Sequence, residues 1–185
     1  MIESQISQVK TIRISKIKLF KKHYRLFFLW AVHYFAYFGF PLLIGGGTKL
    51  VLNFTLLGST ELLGILLSAK LLRHFNYVSS MRFFVFCCLV TCILFYFFDK
   101  YFFLLIISKF FLTLFFGVLQ IYTLEVFHTQ IRSQGFGYCF TFGRLSAIFI
   151  PLFLGRFNAI EINPVLLPAM FFFLSLIFMI GLKET

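Results

Sequence analysis

The stretch that decides the fold is "YFFLLIISKFFLTLFFGVLQIYT", residues 101–123. Apart from Lys109, Ser108, Thr113 and Gln120 it is almost wholly apolar or aromatic. A helix needs about 20 such residues to cross the hydrocarbon core of a bilayer. The rest of the chain agrees with that reading. Of 185 residues, 61% are hydrophobic and only 12% charged, with a mean hydropathy of +0.96. A soluble domain is roughly half apolar and a quarter charged, so too little polar material remains here to cover a globule. The composition points to an integral membrane protein.

Working outward with the same ruler gives apolar runs near 26–45, 50–70, 82–99, 101–123, 135–156 and 164–182. Short separators divide them: "GGGTK", "RHFNYVSS", "DK", a polar junction after residue 123, and "NAIEIN". The expected fold is therefore all-α and integral to the membrane. Six transmembrane helices span 26–182, preceded by a basic cytoplasmic segment over 1–25. That segment is polar and is not a signal peptide.

Charge gives the orientation. Seven of the seventeen basic residues (Lys10, Arg13, Lys16, Lys18, Lys21, Lys22 and Arg25) precede the first long apolar run. With that cluster inside, Lys70, Arg73, Arg82, Arg132 and Lys183 are inside too, while only Lys49, Lys100 and Arg156 fall outside. Basic residues concentrate on the cytoplasmic side of membrane proteins, where anionic lipid attracts them. Both termini are expected in the cytoplasm. The net charge of +11 is thus a membrane-orienting charge, not a nucleic-acid footprint. The thirty-one Phe residues are a compositional choice on lipid-facing surfaces, where Phe, Leu and Ile are nearly interchangeable.

No chemistry-bearing motif of an enzyme is visible. Cys87, Cys88, Cys92 and Cys139 lie in apolar runs with neither metal-ligand spacing nor a disulfide framework, so packing is their expected role. "GGGTK" lacks the spacing of a phosphate-binding loop. Neither cofactor nor metal is expected.

What stands out is polarity inside the spans. Glu61, Lys109 and Arg144 each cost about 2.5–3.5 kcal/mol at a helix centre, against about −0.3 to −0.6 for each large apolar residue. Such residues face a bundle interior or a wet cavity. Helical spacing supports shared faces. Lys109, Thr113 and Gln120 align on the fourth span; Asn53, Thr60, Glu61 and Ser68 gather on the second; Gly137, Thr141, Arg144 and Pro151 share a stripe on the fifth. On the first, Trp30, His33, Tyr34 and Tyr37 form an aromatic and polar face. Two readings stand at this point: the residues pair with one another as structural glue, or they line a solute cavity. Gly39, Gly58, Gly64 and Gly117 fit close helix approach.

The polar junction, "YTLEVFHTQIRSQGFG" over 122–137, resembles the tenth-to-eleventh helix junction of the major facilitator superfamily. Tyr122, Thr123, Glu125, Phe127, Thr129 and Arg132 match its pattern; His128 stands where the family has proline. "GRLSAIFIPLF" is similar to the run that follows in the family, with Ser146 replacing a glycine. "NFTLLGSTELLGILLS", including Glu61, "ISKFFLTLFF", including Lys109, and "YFAYFGF" resemble the eighth, tenth and seventh helices of its organic-ion branch, a pattern shared with synaptic-vesicle-glycoprotein relatives. The resemblance runs from about residue 26 to 182.

It implies the carboxy-terminal, six-helix half of a secondary transporter of the plasma or vesicle membrane. Such a transporter moves small organic ions, anions before cations, by alternating access. The sugar porters share the junction and are the second branch. His33, Tyr37, Glu61, Lys109, Gln120 and Arg144 would line the cavity; Glu125 and Arg132 would belong to a cytoplasmic gate. The facing loop, "KLLRHF", departs from the family pattern: Lys70 replaces an acid, Arg73 a glycine and Phe75 a base, leaving His74 as the cation. Expected partners are the solute, the bilayer, and either a missing amino-terminal half or a second copy. A non-transporting membrane interaction protein remains the alternative.

Overall fold

A bilayer offers no water to backbone amides, so each spanning segment must satisfy its own hydrogen bonds, and a helix does so. The computed structural model, which describes residues 16–44, 50–71, 75–98, 103–159, 163, 165–180 and 182, is helical throughout, with no strand among the described residues. In chain order the helices are α1 (Lys16–Ile44), α2 (Leu50–Leu71), α3 (Tyr77–Phe97), α4 (Phe103–Val126), α5 (Arg132–Ile148), α6 (Ile150–Ala159) and α7 (Leu166–Met179). Five segments are long and apolar enough to cross a membrane: His23–Leu43, Val51–Ser68, Tyr77–Phe97, Phe103–Val126 and Arg132–Phe153. The chain is an all-α protein of the multi-pass membrane class.

The boundaries have physical causes. His23 has non-helical backbone angles (φ −119°, ψ 25°) and bends α1 where the basic segment gives way to the apolar run. The helix α3 starts at Tyr77, ahead of the expected 82, with Asn76 in extended conformation before it. One expected span is divided into α5 and α6 at Phe149. Pro151 lies just beyond, and its ring nitrogen has no hydrogen to bond the carbonyl four residues back. The helical part of the last span is 14 residues, a rise of about 21 Å against a hydrocarbon core of about 30 Å.

The helix α4 is the hub, packing against α1, α2, α3 and α5; α1 also lies along α5 and α7, and α3 along α7. Trp30, Phe40, Leu112, Phe115, Leu119 and Phe172 form the fully buried centre. Two of the expected close approaches are present, both between α2 and α4. A β-carbon at Gly64 would sit 2.9 Å from the Thr113 methyl, and one at Gly117 would collide with Ser68. Gly39 and Gly58 make no such contact. Burial divides the helices: 56% of α4's spanning residues are inside, but only 17% of those in α2 and in the α5–α6 span. Those two flank the bundle, with most of their surface open.

Candidate functional site

The aromatic and polar face of α1 turns inward, and each of its residues meets a different partner. The Trp30 indole nitrogen donates to Thr123 Oγ1 at 2.9 Å, joining α1 to α4. His33 stacks on Phe116 of α4, the ring centroids 4.4 Å apart and the planes nearly parallel. Tyr34 lies within electrostatic reach of Arg144 of α5. Tyr37 reaches Glu61 and Lys109.

Tyr37 is the centre of the site. Its hydroxyl donates to Glu61 Oε1 on α2 at 2.5 Å. The Lys109 ammonium of α4 lies 3.1 Å from the centroid of its ring and donates to its backbone carbonyl at 3.3 Å. That carbonyl is free for a local reason. Residue 41 would normally supply the N–H that bonds it, and residue 41 is proline. Pro41 therefore leaves an acceptor inside the bundle, and Lys109 takes it. A lysine 2% exposed needs compensation from several directions. Here it has a carbonyl, an aromatic face and the nearby Glu61 charge.

Glu61 and Lys109 are not in contact as an ion pair; the tyrosine holds them apart and touches both. His33 is 1% exposed and close enough to Lys109 to feel its charge, and its Nδ1 has no hydrogen-bond partner. Three candidate residues are thus gathered at one point, with the fourth beside it.

Arg144 belongs to a neighbouring region. Its guanidinium lies over the Phe140 ring at 4.2 Å and faces an apolar groove of about 690 Å³ between α1, α2 and α5. Phe38, Pro41, Phe54, Ile148 and Pro151 line that groove. Tyr34 links the two regions, stacking toward Phe38 at 6.0 Å and meeting His33 edge-on at 5.5 Å. Gln120 is half-buried and makes no bond to the cluster. It lies eleven residues along α4 from Lys109, about 16 Å of helix rise, too far for one small solute to touch both.

The junction residues lie at the other end. Glu125 is exposed and lies near the Tyr77 hydroxyl at the start of α3. Arg132 is exposed, its Nε 3.5 Å from the Phe127 carbonyl. Among the described residues the two form no ion pair with each other. Arg73 and His74 of the facing loop lie outside the described residues, as does the expected basic segment up to residue 15. Phe127 anchors the turn: it is buried against His23 and so close to Gly135 that no β-carbon fits there.

Two contributors escape the reading by residue type. Pro41 is visible in sequence four residues after Tyr37, and that spacing is the signal for a freed carbonyl. Arg82 donates from Nη2 to the Met179 carbonyl at 3.2 Å, satisfying the end of α7; nothing in the sequence pairs these two positions. Among the described residues no three potential ligands gather for a metal. No protein-family model matches the chain, and no curated protein matches it.

Proposed function

We propose that this chain is one half of a secondary membrane carrier for small organic anions. The observation that carries the reading is the Glu61–Tyr37–Lys109 cluster, set on three helices within segments long and apolar enough to cross a bilayer. Ionisable residues at such depth mark solute and ion paths. Arg144 supports the choice of anion. It is exposed on α5 beside the apolar groove, where it offers a guanidinium to a carboxylate or sulfonate and the groove receives an apolar body.

The openness of α2 and α5 supports the half-carrier form. On α5, Ser133, Gln134, Thr141 and Arg144 are all exposed, a surface that lipid solvates poorly and a second six-helix unit would cover. A cavity between two such units places the solute near the midplane.

The test is uptake of radiolabelled aromatic monocarboxylates into vesicles holding the full chain, alone and with a candidate amino-terminal half. Arg144→Ala is expected to cut anion uptake by about tenfold or more, the worth of one charge-assisted hydrogen bond. Uptake unchanged in that variant would remove Arg144 from the solute path. Absence of uptake in every combination would overturn the carrier reading.

A further inference from the structure

The Glu61–Tyr37–Lys109 cluster has a property that a simple solute-lining residue would not have. Lys109 is sealed: it is 2% exposed, and the ring of Tyr37 lies directly on its ammonium. No solute anion reaches Lys109 while that ring stays. The ring, in turn, is held by its own hydroxyl, which donates to the Glu61 carboxylate. The ring also packs on His33 and Phe38 of its own helix, at 5.6 and 5.2 Å between centroids, so the bond to Glu61 is its one polar tie to another helix.

The charges balance in the covered state. With the carboxylate ionised and the amine protonated, Glu61 supplies one negative charge and Lys109 one positive; Lys109 is buried and Glu61 half-buried. The other groups facing the cluster do not alter that count. From α1 come His33, Tyr34 and Tyr37 itself; from α5 comes Arg144, held away by Tyr34 and Phe140. The α4 neighbour Thr113 bonds the Lys109 carbonyl at 3.0 Å, and the α3 residues Cys88 and Cys92 face Ser108. If Glu61 gains a proton, its bond from Tyr37 loses its ionic character and weakens, and Lys109 is left with an uncompensated buried charge.

We propose that Tyr37 is a proton-released cover over Lys109. A proton on Glu61 frees the phenol, the ring leaves the ammonium, and the solute's anionic group replaces the lost carboxylate charge. One proton then accompanies each monoanion. The step makes one O–H bond at the Glu61 carboxyl, with the proton taken from water on the solute's side and released on the other. Nothing is oxidised or reduced. The inference rests on the anion-carrier reading and adds the coupling ion, the stoichiometry and the residue that enforces order.

The experiment uses the purified full chain in weakly buffered mild detergent with a pH dye. 1-Naphthoate, fully ionised at neutral pH, is added as the probe, its uncharged amide serves as the control, and naphthoate binding is followed separately by equilibrium dialysis. Wild-type protein should take up on the order of one proton per bound anion and none with the amide. Glu61→Gln, permanently uncharged like the protonated acid, should bind naphthoate more tightly than wild type while proton uptake drops at least tenfold. Tyr37→Phe keeps the ring but loses the hydroxyl, so it should bind naphthoate with proton uptake likewise reduced. Naphthoate binding without proton uptake in the wild type would overturn the proton cover and leave the carrier reading standing. Proton uptake that persists in Glu61→Gln would overturn it too. No binding by wild type, alone or with a candidate amino-terminal half, would overturn both.

Discussion

At the scale of single residues, the site is organised by what each side chain cannot leave unsatisfied. Glu61 and Lys109 were legible in the sequence because charges are costly inside an apolar run. Their joint dependence on Tyr37 was not, because it arises from three helices meeting. The proline is the most informative residue in hindsight: Pro41 withholds one N–H, and that missing hydrogen explains where a lysine ammonium docks. Replacing Pro41 with Ala restores a donor to the Tyr37 carbonyl, which then competes with Lys109. Naphthoate affinity is expected to change severalfold, with helix content by circular dichroism unchanged or raised. Unaltered affinity would show that the carbonyl contributes nothing to seating Lys109. Trp30 makes the complementary point. Its indole nitrogen has Thr123 Oγ1 as acceptor in the buried centre. Thr123→Val should strand that donor and lower stability by about 1–3 kcal/mol, read as a lower denaturation midpoint in detergent. A midpoint within error of wild type would mean the indole finds another acceptor.

At the scale of helices, the segments were read from length and hydropathy, and the all-helical architecture with five membrane-length helices follows from that physics. Their ends were less legible, because bends at His23 and around Phe149 depend on backbone angles and on Pro151 rather than on hydropathy. Small residues were informative only in pairs. Gly64 and Gly117 each meet a side chain across the α2–α4 crossing, whereas Gly58 meets nothing, although all three look alike as isolated letters. This crossing is where α2 gains most of its contact with the bundle. Gly64→Leu should therefore push α2 from α4 and cost about 1–3 kcal/mol through overpacking, whereas Gly58→Leu should be close to neutral. Thermal midpoints of the two variants in the same detergent decide it. Equal losses would mean that the crossing is not closely packed.

At the scale of the whole molecule, the ends of the helices sort the charges. The ring contact of His23 with Phe127 brings the start of α1 to the end of α4; the nearness of Glu125 to Tyr77 adds the start of α3; the Arg82–Met179 bond adds the end of α7. Lys70, Arg82 and Arg132 therefore lie at the end where α1 begins, and Arg156 of α6 lies toward the other. Each basic residue near an anionic leaflet is worth about 1 kcal/mol, so the positive-inside rule predicts an orientation with the basic end in the cytoplasm. The test replaces Cys87, Cys88, Cys92 and Cys139 with Ala and places a single cysteine at Lys100 or at Thr129. A membrane-impermeant maleimide applied to intact cells is expected to label the variant at 100 and to label that at 129 only after permeabilisation. The reverse pattern would invert the chain. It would also put the Glu125–Arg132 junction on the outer face, where the cytoplasmic gate implied by the family resemblance could not operate.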